Sequence, residues 1–192
     1  MGPKTRFSKQ EIVNVAFDIA KVEGFSGVTA RNVAKRLGSS VAPIYVNFET
    51  IDDLIAAVVQ RVFAISDELV SKQKGDDYFA NVGRASLAFA REYPVLFREL
   101  MLQPNQYMAS YETLENELVV AMAEDDAMQN WSLAERKRLL LKMRVFQLGL
   151  SVMVANGHMP SWLSDREVED LLMEIGDELM RVHQLKREES KK

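Results

Sequence analysis

Apolar residues recur along this chain at spacings of three and four, the mark of helices with one buried face, and no strand pattern competes. The first stripe, Ile12, Ala16, Ile19 and Ala20, follows Ser8-x-x-Glu11, a capping-box pattern, and stops at Gly24. Phe25 and Val28 fill the gap before Thr29, which can cap a short stripe of Val33, Ala34 and Leu37. Gly38 closes that stripe where a left-handed residue is needed. Ser39 or Ser40 can cap the next short helix, with Pro43 in its first turn, where a missing N–H goes unused anyway. Ile44 and Phe48 give this helix its inward face and leave Tyr45 and Asn47 outward. Thr50-x-x-Asp53 then starts a long helix carrying Leu54, Val58, Arg61 and Ile65.

The same grammar continues to the end of the chain. Asp76 or Asp77 caps a helix with Phe79, Val82, Ser86, Phe89 and Tyr93. Pro94 opens a short helix through Met101, with Leu96, Phe97 and Leu100 inward, and Pro104-Asn105 breaks it. Leu114, Leu118 and Met122 define another, which dissolves into Glu124-Asp125-Asp126. Ser132-x-x-Glu135 starts a helix with Leu139, Met143, Phe146, Leu150 and Met153, ended by Gly157 and Pro160. Ser164-x-x-Glu167 starts the last, with Val168, Leu172, Ile175, Leu179 and Val182. Leu140, Val154, Leu171, Met173 and Met180 widen these two stripes beyond what one side of a small core needs. Two such helices paired with their symmetry mates make a four-helix interface. The alternative is that they pack only on the preceding three helices.

The segment Val28 to Phe48 carries the most information. Two short helices meeting at Gly38 form a helix-turn-helix, whose second helix enters the DNA major groove. The order Glu23-Gly24-Phe25, Val28-Thr29-Ala30-Arg31, Val33-Ala34, Leu37-Gly38, Ile44-Tyr45, Phe48 and Asp53-Leu54 resembles the N-terminal domain of the TetR family of bacterial transcriptional regulators. Phe89-Ala90-Arg91-Glu92-Tyr93-Pro94 with Leu96-Phe97 is similar to a phrase of that family's C-terminal domains. The resemblance implies an all-α fold of about nine helices. A three-helix DNA-binding domain at 1–50 (the family-type region running about 8–68 with the linking fourth helix) precedes a ligand-binding and dimerisation domain at 51–192. It implies a homodimer on a near-palindromic double-stranded operator, most often a repressor, released by a small-molecule effector. Two departures stand out. Family members often carry Lys where this chain has Ile51, and a basic residue near Val41 or Val46.

The segment Gly38 to Phe48 has no charge. Base reading would therefore rest on Ser40, Val41, Ala42, Pro43 and Asn47, largely through apolar contact with thymine methyls. Phosphate contacts fall to Lys4, Arg6, Lys9, Thr29, Arg31, Lys35, Arg36, Tyr45, Thr50 or the N-terminus of the fourth helix. Charge distribution agrees: residues 1–50 have a balance of +3, residues 51–192 of −7.

Other chemistry is sparse. The chain has no cysteine, hence no disulfide framework or thiolate. Its two histidines, His158 and His183, lack the spacing of metal ligands, and carboxylate pairs such as Asp125-Asp126 and Glu169-Asp170 suit solvated positions. No phosphate loop, HExxH or G-x-S-x-G motif occurs, so no cofactor, metal or enzymatic activity is expected. No apolar leader or span is present, and a cytoplasmic location is expected. Nine of ten methionines lie at or after Met101, and such adaptable side chains suit a ligand pocket. Phe97, Met101, Leu118, Met122, Phe146, Gln147 and Met153 are the expected pocket residues. Arg98, Gln103, Asn156 and His158 are polar candidates nearby, for a mostly apolar ligand. The expected dimer stripe comprises Leu139, Leu150, Val168, Leu172, Ile175, Leu179 and Val182. A helical small-molecule-binding protein with a degenerate DNA head, or an all-α enzyme, fits the same residues less fully.

Overall fold

Side-chain caps decide where most helices begin. The computed structural model describes residues 7–75, 77–107, 111–124, 126 and 128–189. Helix α1 (Lys9–Glu23) starts with a capping box in which Ser8 and Glu11 satisfy each other's backbone N–H groups. After a 3-10 turn at Phe25–Gly27, Thr29 caps α2 (Ala30–Leu37), accepting from the Asn32 amide. Gly38 follows with φ 63° and ψ 37°, the left-handed conformation that a side chain would strain. Helix α3 (Ala42–Asn47) differs from expectation at its start. Its N-cap is Val41, without a side-chain cap, and the Ser39 hydroxyl donates to the Ser40 carbonyl instead. Pro43 still falls in the first turn, so α3 loses little by the missing cap.

Thr50 and Asp53 box the start of α4 (Ile51–Ser71). Asp77 caps α5 (Tyr78–Glu92), accepting from the amides of Phe79 and Ala80, while Asp76 lies outside the described residues. Pro94 opens α6 (Pro94–Phe97), which widens into a π-helical turn, Arg98–Leu102, rather than running on as one α-helix. Asn105 holds that turn by donating to the carbonyls of Glu99, Leu100 and Gln103. Helix α7 (Tyr111–Ala121) precedes α8 (Leu133–Ala155) and α9 (Asp165–Glu189). Both long helices carry the expected boxes, Ser132 with Glu135 and Ser164 with Glu167. The described residues form nine α-helices and no strand. Among the described residues no helix is long and apolar enough to cross a membrane.

Three apolar clusters hold these helices together. The largest joins α1–α4 to α5 and α6 without interruption: Ile12, Ile19, Val33, Ile44, Leu54, Val58, Leu96 and Leu100 are all buried in it. Tyr93 bridges the two halves, its ring 6.0 Å from Phe17 and 5.4 Å from Phe89. Between α1 and α4, Arg61 bonds Asn14 and lies over the Phe17 ring. A second cluster, Leu118, Val119, Met122, Met128, Trp131, Leu139 and Leu140, joins α7 to the start of α8. The third, Leu87, Leu150, Val168 and Leu172, locks α5, α8 and α9.

Candidate nucleic-acid interface and internal cavity

Anchored by Ile44 and Phe48, α3 is too short to bury more than one face. Val41, Ala42, Tyr45 and Val46 project into solvent, Tyr45 at 53% and Val46 at 67% exposure. Spacings of one, three and four place these four on one side of the helix. The expected set therefore changes in two places. Asn47 is half-buried, and its Nδ2 donates back to the Pro43 carbonyl at 2.8 Å. That bond folds the side chain back onto a first-turn carbonyl of α3, so the amide serves the helix itself. Val46 takes its place on the outer face, and its spacing of four from Ala42 was the signal in the sequence. Ser40 is exposed and Pro43 half-buried.

The cations around α3 sort by their partners. Arg36 pairs with Glu23 at 3.6 Å, Lys21 with Asp18 at 2.9 Å, and Lys9 lies over the Phe48 ring. Arg31 and Lys35 on α2 are exposed and make no ion pair among the described residues. Lys4 and Arg6 lie outside the described residues. Thr29 and Thr50 are exposed but already occupied as caps. The N-terminus of α4 is an unfavourable phosphate site, because its amides face the Thr50–Asp53 box and Asp52 adds a second carboxylate.

Among α5, α7, α8 and α9 lies a cavity of about 210 Å³. Five methionines line it, Met122, Met128, Met143, Met173 and Met180, with Leu118, Leu139, Leu140, Leu172, Phe79 and Val82. Its polar lining consists of Ser86, Gln147, Asp77, Asp177 and Arg144, the last paired with Glu115. Leu118, Met122 and Gln147 are the expected pocket residues found here. The other four stand elsewhere. Phe97 is buried in the core beneath α1, and Met101 packs against that core. Phe146 packs on the α5–α8–α9 cluster, and Met153 is 39% exposed. Of the polar candidates, Arg98 donates to the Ala155 carbonyl, while Gln103, Asn156 and His158 are exposed. Helices α5 and α9 supply none of the expected pocket residues, yet both form cavity walls. Glycines inside both helices, Gly83 and Gly176, were the available signal.

The stripes of α8 and α9 divide in the same way. Leu139, Leu150, Val168 and Leu172 face the chain's own core, Leu139 completely. A wide stripe on a helix packed on two sides must spend part of itself internally. What remains outside on α8 is Leu133 and Met153 near its ends and Leu141, Val145 and Leu148 between them. On α9, Ile175 and Leu179 are half-buried, and Val182 and Leu185 are exposed. Beside this face the end of α9 is clamped to α8. Arg187 binds Glu135 and donates to the Asn130 carbonyl, and His183 stacks on Trp131 at 5.3 Å. No group of residues suited to a metal ion occurs among the described residues.

Residues 12–58 match the family described as bacterial regulatory proteins, tetR family. No curated protein matches the sequence. The fold is similar to that of a TetR-like transcriptional regulator from Rhodococcus sp. RHA1, with a TM-score of 0.63 and 19% identity over 88% of this chain and 92% of that one. A second transcriptional regulator from the same organism gives a TM-score of 0.64 at 17% identity, over 91% of this chain and 97% of that one.

Proposed function

We propose that the chain is a member of the TetR family of bacterial regulatory proteins, whose pattern its residues 12–58 match, and that it acts as a homodimeric repressor released from its operator by a small molecule. Membership makes it a DNA-binding regulator. The observation that carries the finer reading is the outward face of α3, four side chains held away from the core and exposed among the described residues. Val41, Ala42 and Val46 suit apolar contact with thymine methyls in the major groove, and Tyr45 suits a phosphate. Arg31 and Lys35 supply charge that attracts the backbone. Dimerisation through Leu141, Val145, Leu148, Val182 and Leu185 would set two α3 helices at the spacing of successive grooves. A ligand in the cavity between α5 and α9 would favour a different spacing, by population shift. Reciprocity follows: whatever loosens DNA must itself bind more weakly to the DNA complex.

Selection from a pool of random duplexes tests this reading. The expected result is enrichment of a near-palindrome, with retention falling as salt rises because phosphate contacts release counterions. Failure to retain any duplex at low salt would favour the degenerate-head alternative.

A further inference from the structure

The methionine-lined cavity has two features that a packing defect would not have. First, a glycine in a helix interior, Gly176 on α9, opens it, whereas Gly83 on α5 lets Leu172 approach closely, 3.0 Å from where a Cβ would stand. Glycine is the poorest helix former apart from proline. A Cβ built on Gly176 would meet nothing within 4 Å, so space rather than close packing surrounds it. Second, its polar lining is dominated by acceptors. The Ser86 hydroxyl spends its proton on the Val82 carbonyl at 2.8 Å. Gln147 directs its amide nitrogen at Ser151 Oγ, 3.0 Å away, and no partner among the described residues takes up its Oε1. Asp77 and Asp177 add carboxylates, and the charge of Arg144 is met by Glu115.

We propose that this cavity takes a compact apolar molecule with one hydrogen-bond-donating head, hydroxyl or ammonium, and that it excludes carboxylates. This deepens the effector reading above and rests on it. A cavity of about 150 Å³ accommodates benzene, so 210 Å³ suits an apolar body of roughly eight non-hydrogen atoms. Methionine thioethers adapt to such a body and favour an aromatic ring. The head would meet Gln147 Oε1 or Ser86 Oγ. Both acceptors are half-buried, and a carboxylate facing them gains no hydrogen bond and meets repulsion from Asp77 and Asp177, which disfavours it.

Three probes of one shape decide the matter: para-ethylbenzylamine, para-ethylbenzyl alcohol and para-ethylbenzoate, titrated calorimetrically against the full chain. The amine and the alcohol are expected to bind and to raise the melting temperature, and the benzoate to do neither. Gln147→Leu should weaken the alcohol about tenfold while leaving para-ethyltoluene unchanged. Gly176→Leu should abolish binding of all probes, with Gly176→Ala showing that the helix tolerates a side chain there. Equal binding of the benzoate, no binding by any probe, or undiminished binding by Gly176→Leu overturns the proposal. Retention of random duplexes by the unliganded protein, followed in parallel, separates that failure from failure of the regulator reading.

Discussion

Tyr45 is half in solvent on an otherwise apolar face, so its hydroxyl is the one phenolic donor α3 offers to DNA. Tyr45→Ala should weaken binding to every duplex, and Tyr45→Phe should separate the hydroxyl from the ring. Equal affinity of Tyr45→Phe and wild type in filter retention would show that the hydroxyl touches no phosphate. Asn47→Ala is expected to act differently, because the amide holds the Pro43 carbonyl. Its loss should cost stability by about 0.5–1.5 kcal/mol and leave base preference unchanged, as melting and repeated selection would reveal. His183 makes a prediction about pH. Burial first, then the neighbouring charges of Lys142, Lys186 and Arg138, hold its pKa below the ordinary 6.5, against an opposing pull from Glu135. The neutral ring accepts from Lys142 Nζ at 3.1 Å. The unfolded chain takes up a proton near 6.5 and the folded chain only lower. This contribution to stability is therefore whole above 6.5 and declines as pH falls below it. Melting temperature should drop from pH 7.5 to 5.5 more in the wild type than in His183→Phe. Parallel curves would assign the drop to other groups.

At the scale of elements, caps and glycines carry the stability that can be measured one helix at a time. Ser132 both starts α8 and positions Glu135 for Arg187, tying the end of α9 down. The Ser132 hydroxyl and then its amide hold the Glu135 carboxyl at about 2, with Arg187 adding to the effect. That contribution is present above the ordinary 4.5 and lost as pH falls toward 2. Ser132→Ala should cost about 0.5–2 kcal/mol, and should loosen the last turns of α9 in hydrogen exchange. Gly176→Ala should act in the opposite sense. It adds a side chain where nothing lies within 4 Å, and gains about 1 kcal/mol of helix preference. A lower melting temperature for that variant would mean that the wall of the cavity is closer than this geometry places it.

For the whole molecule, the decisive question is how the two outer faces act together. Leu141, Val145 and Leu148 run along α8 beside Gly149, and in the proposed dimer interface its missing side chain would let a partner helix approach closely. Val145→Glu would place an unpaired carboxylate in that interface, at a cost of about 3–5 kcal/mol. Light scattering should then show monomers at micromolar concentration, and operator affinity should fall with the dimer, because a single α3 reads only half a site. A wild-type chain that is monomeric in the same measurement would falsify the dimer. Helix α5 is the route by which the cavity and α3 would communicate. The core containing α1–α4 also contains α5 and α6, and α5 forms one wall of the cavity. The Phe25 amide donates to Glu99 Oε2 in the π-helical turn at 3.3 Å, which joins the end of α1 to the same route.

The sequence by itself determined most of the helices, most of their caps and the helix-turn-helix, the cap of α3 and the π-helical turn after α6 excepted. These rest on local contacts: a serine and a glutamate three apart, a glycine at φ 63°, apolar residues one turn apart. Such interactions are complete within a few residues, so they could be read in order along the chain. Only the tertiary structure decided which part of each wide stripe faces inward. Leu139 and Leu150 face inward and Val145 outward, because α8 is packed by α5 on one side and α7 and α9 on others. Periodicity defines a face but not what meets it. The cavity was hidden for the same reason. Its walls come from four helices far apart in sequence, and Gly176 looks like a weak helix position until α5 is seen across from it. Asn47 was misjudged by a smaller margin, since its spacing of four from Pro43 permitted the inward bond that the fold adopts. Helix formation is settled between neighbours, whereas burial is settled by the assembled helices, and the candidate sites depend on burial.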